Sequence, residues 1–152
     1  MMKTITDLLN QVRQYQGRLG DYYRALNGAS VSQRVKMLLD YMTDREFQRR
    51  DALTRFEEDL PETLRGIQSR FLPPEDILTV CNEPDLSGNT QLSVDDIIEI
   101  AVNMNKCVLD FYEQMSQHGD SHDVRDVFGS LFEMEKRSLR ELVRDAQELK
   151  DL

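Results

Sequence analysis

Histidine is nearly absent from this chain: 152 residues hold only His118 and His122. That scarcity excludes most nucleophilic schemes, and no Ser/His/Asp arrangement, catalytic Cys/His pair or glycine-rich phosphate loop is visible. Cysteine is as scarce, with only Cys81 and Cys107 and no CxxC spacing. Such usage offers no disulfide framework, so two reduced thiols are expected, Cys107 on the core-facing side of a helix. Tryptophan is missing, and Pro (4) and Gly (7) are few, which leaves helices uninterrupted. No apolar run approaches the roughly 20 residues that span a bilayer. The opening Met1-Met-Lys-Thr-Ile-Thr-Asp7 lacks the apolar stretch and cleavage site of a secretory signal. A cytoplasmic location is the expectation.

What is abundant is charge, at 31% of residues and a net −9. Residues 1–76 carry 12 Lys/Arg against 12 Asp/Glu; residues 77–152 carry 7 against 16 and hold the whole excess. An acidic half repels phosphate, so neither nucleic acid nor an anionic membrane is an expected partner.

Apolar residues recur with a 3.6-residue period in four long stretches. The first spans about Thr6 to Asn27, with Gly28 expected to stop it. The second follows a Ser30-Val-Ser-Gln33 capping box and runs to about Glu58. The third starts at a Ser93 cap ahead of Asp95 and Asp96 and ends at Gly119; the fourth runs from near Ser121 to the C-terminus. Short links at 28–32 and 119–121 make each pair an antiparallel hairpin, whereas some 35 residues separate the second helix from the third. Within that crossover a short helix is expected from Asp59-Leu-Pro-Glu62 to Pro73-Pro74, then one or two turns over Glu75–Cys81. Gly17 and Gly20 inside the first helix imply either a tight helix crossing or a local irregularity.

The two hairpins are copies. Shifted by 89 residues without a gap, Tyr15 falls on Met104, Leu19 on Val108, Tyr23 on Tyr112, Leu39 on Phe128 and Leu53 on Leu142. Within the register Glu46 falls on Glu135. A duplicated helix pair carrying an inward Glu is the plan of four-helix di-metal carboxylate proteins.

On these residues the chain resembles the ferritin-like superfamily, and within it the rubrerythrin-like bundles. Glu99-Ile-Ala-Val-Asn-Met-Asn-Lys-Cys-Val-Leu-Asp-Phe-Tyr112 is similar to the segment with a liganding Glu ahead of a Phe-Tyr pair. Val127-Phe-Gly-Ser-Leu-Phe-Glu-Met-Glu-Lys-Arg-Ser138 is similar to the Glu-x-x-His ligand motif. The resemblance implies an all-α, ferritin-like four-helix bundle over residues 1–152. It consists of two antiparallel αα-hairpins (about 4–58 and 93–151) joined by a crossover (59–92) with short helices. It also implies six ligand positions, one Glu from the first helix of each hairpin and Glu-x-x-His from the second. Here they hold Gln16, Glu46 and Arg49, then Asn105, Glu135 and Ser138. A guanidinium has no lone pair to donate, so no metal is expected in the bundle core and no cofactor elsewhere.

Instead, Arg49 is expected to bridge Glu46 and Glu135, with Gln16, Asn105, Tyr23 and Tyr112 supplying hydrogen bonds. The alternative turns Arg49 outward to a surface carboxylate. Asp85, Ser87 and Asn89 resemble the start of a calcium loop, but Thr90 stands where Gly is needed and Asp96 where a bidentate Glu is, with Pro84 directly before. A polar turn ahead of a capped helix accounts for the same letters. His118 and His122, beside Asp120 and Asp123, read as a solvated turn. The expected function is thus non-catalytic, through association with a second copy or another protein. The alternative is an oxidant-handling or metal-binding protein using Glu46 and Glu135.

Overall fold

The computed structural model describes residues 2–29, 32–74, 77–86 and 92–152. Four long helices carry the fold: α1 (Ile5–Ala29), α2 (Gln33–Asp59), α5 (Val94–His118) and α6 (His122–Lys150). Among the described residues two single turns lie in the crossover, α3 (Glu62–Arg65) and α4 (Ile77–Val80). Helices α1 and α2 pack as one hairpin and α5 and α6 as the other, with α2 lying against both helices of the second pair. The expected all-α bundle is what the chain forms.

Each helix buries the stripe its period defines. Leu8, Val12, Tyr15 and Leu19 of α1 meet Leu38, Leu39 and Met42 of α2 in one core shared with Met115, Phe128 and Leu131. Removing that many apolar side chains from water, at roughly 25 cal/mol per Å² of apolar surface, is the main force holding the bundle. Most of the buried polar residues lie together in mid-bundle: Gln16, Arg45, Glu46, Asn105 and Glu135.

Caps set most helix starts. Ser93 and Asp96 form a reciprocal capping box, the Ser93 hydroxyl accepting from Asp96 N at 3.1 Å and Asp96 accepting from Ser93 N at 2.9 Å. Ser121 caps α6 through Val124 N at 3.2 Å. Two expectations are corrected. Gly28 does not stop α1, which runs through Ala29. The cap of α2 is Ser32, which accepts from Val35 N; the expected box began at Ser30, which lies outside the described residues.

The crossover also departs from the sequence reading. Its first helix ends at Gly66, not at Pro73, and is followed by a two-residue strand β2 (Gln68–Ser69) antiparallel to β1 (Lys3–Thr4). Asp120, in the turn between α5 and α6, ties this pair down by accepting from the Ser69 hydroxyl at 2.6 Å and from Arg70 N at 3.2 Å. Further along, Arg18 of α1 donates to the carbonyls of Leu78 and Cys81, both at 2.7 Å, and pairs with Glu83 at 3.1 Å. The expected free thiols are not found: Cys81 and Cys107 form a disulfide, their Cα atoms 6.0 Å apart, fastening the crossover to α5. The path of the crossover, which no local pattern encodes, brings the two sulfurs together.

Gly20 permits a close approach. A Cβ there would lie 2.6 Å from the Phe47 ring, so α2 presses an aromatic side chain into the α1 surface at the missing Cβ. Of the two readings of the glycine pair, the tight crossing holds.

Candidate functional site

All six ligand-position residues and both tyrosines meet at mid-bundle, where the four stripes give way to polar side chains. Helix α2 contributes Glu46 and, one turn on, Arg49; α5 contributes Asn105; α6 contributes Glu135 and Ser138. Helix α1 supplies Gln16 and Tyr23.

Arg49 lies between the two carboxylates. Its Nη1 is 3.4 Å from Glu46 Oε2 and donates to Asn105 Oδ1 at 2.9 Å, and its Nη2 pairs closely with Glu135 Oε2. The side chain is 13% exposed, so it does not turn out to solvent. Burial draws the guanidinium below its ordinary pKa, which the Glu46 carboxylate opposes and Arg45 reinforces.

A second arginine completes the cluster, and the sequence reading did not include it. Arg45, 7% exposed, pairs with Glu46 Oε1 at 3.2 Å and donates to Asn105 Oδ1 at 3.0 Å. Its other nitrogen donates to the Ser138 hydroxyl at 2.8 Å and the Ser138 carbonyl at 3.1 Å. A signal was present: Arg45 lies three residues after Met42 and seven after Leu38, on the apolar stripe of α2. Its repeat mate is Met134, 42% exposed, so the internal symmetry breaks at this point.

Two guanidinium groups therefore face two carboxylates, and the formal charges cancel. Asn105 joins them, accepting from both arginines and donating to the Ala101 carbonyl at 2.6 Å. A buried ionic cluster of this kind holds only while each charge keeps its partner.

The other expected hydrogen bonds are not made, and three corrections follow. Gln16 is buried, but its Oε1 has no partner. The Tyr23 hydroxyl has none either. Burial, and secondly the Glu46 carboxylate, push the Tyr23 pKa well above its ordinary value. Tyr112 lies under the cluster with its ring edge-on to Phe111, and its phenol is likewise raised by burial. Tyr15, in contrast, does bond across the bundle, donating to the carbonyl of Met104, its own repeat mate, at 3.1 Å.

Beside the cluster, Gln16, Arg49, Tyr112, Glu135 and Ser138 line a cleft of about 150 Å³. Glu135 Oε1, like Gln16 Oε1, lacks a partner here.

Asp96 is engaged in its capping box, and residues 87–91, with Ser87, Asn89 and Thr90 of the calcium-loop pattern, lie outside the described residues. His122 pairs with Asp126 at 3.0 Å, whereas His118 leans on the Phe71 ring, 5.4 Å between centroids. Among the described residues no three His, Cys, Asp or Glu side chains are grouped to share a metal ion. Nor is any described helix long and apolar enough to cross a membrane.

No family model matches this chain, and no curated protein does. Among solved structures it is similar to a protein of Thermotoga maritima assigned as a ferritin-like diiron-carboxylate protein. The two share 16% identity over 96% of each chain, with a TM-score of 0.58. Such a likeness speaks to architecture alone, and with two helical hairpins and a crossover already in place it settles that architecture: this chain has the ferritin-like fold.

Proposed function

We propose that this chain is a metal-free ferritin-like bundle that works through protein association and not through catalysis. The observation that carries the reading is the Arg45–Glu46–Arg49–Glu135 cluster. The side chains there do not fit a pair of divalent ions. Only two of the six ligand positions keep a carboxylate, both carboxylates are engaged by guanidinium groups, and a guanidinium repels a cation and has no lone pair for it. The arginines supply the positive charge that buried glutamates require, so the fold persists without a metal. A bundle freed from that chemistry keeps its outer faces, and association with a second copy or another protein is the use we assign to them.

A second reading, an altered metal-binding or oxidant-handling site at Glu46 and Glu135, draws on the cleft beside Arg49. There two buried oxygens, Gln16 Oε1 and Glu135 Oε1, lack partners. Total metal analysis separates the two. After expression with iron, manganese and zinc supplied, we expect substoichiometric metal, unchanged in a Glu46→Gln/Glu135→Gln variant. About two metals per chain, lost in that variant, would overturn the metal-free reading.

A further inference from the structure

The internal repeat provides a comparison within one molecule. On the outside of the first hairpin, the furrow between α1 and α2 is filled by the chain itself. Phe47 lies over Gly20, with the Arg24 and Arg50 guanidinium groups 5.1 and 4.8 Å from its ring centre. The repeat shift of 89 carries Gly17, Gly20, Phe47 and Arg50 onto Lys106, Leu109, Lys136 and Leu139. These four residues line an open groove of about 670 Å³ between α5 and α6. Its aromatic filler is gone. Lys136, in the place of Phe47, leans 4.9 Å over the Phe132 ring and pairs with Glu133 at 3.3 Å.

The groove is apolar along its floor and basic along its rim. Val102, Leu109 and Leu139 are half-buried, and Val143 is 45% exposed. Lys106, Lys136 and Arg140 stand around them, with Asp110 the one acidic residue of the lining. Residues 77–152 contain seven basic side chains among sixteen acidic ones, and three of the seven are gathered here. Among the described residues Lys106 and Arg140 make no ion pair or hydrogen bond, so their charges are available.

We infer that the α5/α6 groove docks an amphipathic helix of a partner protein that presents apolar side chains flanked by Asp or Glu. This inference rests on the association reading above and names its surface and the partner's chemistry. A furrow between two antiparallel helices accepts a third helix through side chains at i, i+3 and i+4. The basic rim selects an acidic helix at contact, by pairing its carboxylates and rejecting like-charged ones. A symmetric second copy is disfavoured, because an isologous contact lays Lys106, Lys136 and Arg140 against themselves. An enclosed small molecule is disfavoured by the openness of the groove, which cannot cover most of such a ligand.

The test is methyl NMR of the whole protein, titrated with a synthetic helical peptide carrying Phe and Leu at i and i+4 between glutamates, and with its lysine-for-glutamate twin. The expected result is saturable shifts confined to the Val102, Leu109, Leu139 and Val143 methyls. Affinity should fall at least about tenfold both for the twin and in the Lys106→Glu/Arg140→Glu variant. No saturation by about 1 mM peptide, equal binding of the twin, or shifts on another face would overturn the proposal. So would sedimentation showing a dimer that Val143→Asp dissociates, which makes the occupant a second copy. Metal analysis of the same sample keeps the two readings apart. Two metals per chain with groove binding intact sinks the metal-free reading alone; metal-free protein without groove binding sinks this inference alone.

Discussion

Arg49→Leu isolates the ionic cluster. Leucine suits a helix as well as arginine does and fills most of the space, so the change acts mainly on charge. Glu46 retains Arg45 at 3.2 Å, but Glu135 loses its one charged partner, and its other oxygen already has none. Leaving one half of a buried ion pair unpaired costs about 3–5 kcal/mol. For a chain of this size each kcal/mol moves the melting temperature by about 2–4 °C, so Tm should fall by about 6–20 °C. The assay is urea unfolding followed by far-UV circular dichroism, together with a thermal scan. The urea midpoint should drop while the slope stays the same, because the surface exposed on unfolding hardly changes. A double-mutant cycle supplies the control. Glu135→Leu placed on Arg49→Leu removes the stranded carboxylate and should recover most of the loss, whereas independent sites add within about 0.3–0.5 kcal/mol. An Arg49→Leu protein as stable as the wild type, or an additive cycle, would refute the claim that Arg49 neutralises Glu135.

Three further outcomes are expected. Replacing both Cys81 and Cys107 by Ser opens a 26-residue loop, and the chain-entropy relation puts the loss at about 3.5 kcal/mol. Urea unfolding reads that loss, and a thiol titration should find no free thiol before reduction and two per chain after it. Gly20→Ala should destabilise by about 1–3 kcal/mol, because its Cβ would lie 2.6 Å from the Phe47 ring and that overpacking outweighs the helix propensity gained. Gly17→Ala should stabilise by up to about 1 kcal/mol, since the atom it meets is the movable Arg50 Nη1 at 3.2 Å; equal melting points for the two variants would contradict the crossing geometry. Asp120 is held below the ordinary carboxylate pKa, first by the Ser69 hydroxyl and then by the Arg70 amide. Its contribution is therefore whole above the unfolded value of about 3.9 and is lost as pH falls through the lower folded value. Asp120→Asn should flatten the acid limb of the stability–pH curve, and an unchanged limb would mean that the clamp on Ser69 and Arg70 is not made in solution.

The long helices and the ligand positions were legible for the same reason. Periodicity is a local property, and a gapless repeat transfers a position in one hairpin onto the other, so Glu46 and Glu135 identify each other without a structure. Caps such as Ser93 with Asp96 are local as well, the hydrogen-bonded residues lying three apart. Arg45 escaped although it lies on the apolar stripe, because a charged residue beside the stripe is ordinarily solvated; only its contacts with Asn105 and Ser138, on two other helices, bury it. The stripe of α1 carries Gln16 and Tyr23 into the core, but whether either completes a hydrogen bond depends on side-chain orientation, which only the packed cluster fixes.

By itself, then, the sequence determined four amphipathic helices, their pairing into two related hairpins and the chemical character of the residues at the centre of the bundle. All of these follow from short-range patterning and from the cost of leaving apolar stripes in water. Tertiary structure alone decided that Cys81 meets Cys107, that Lys3–Thr4 pairs with Gln68–Ser69, and that two arginines share the two glutamates. Each depends on at least one directional contact between residues distant in sequence, as between Arg49 and Glu135. Their geometry is set only when the helices have packed and the crossover has a path across them.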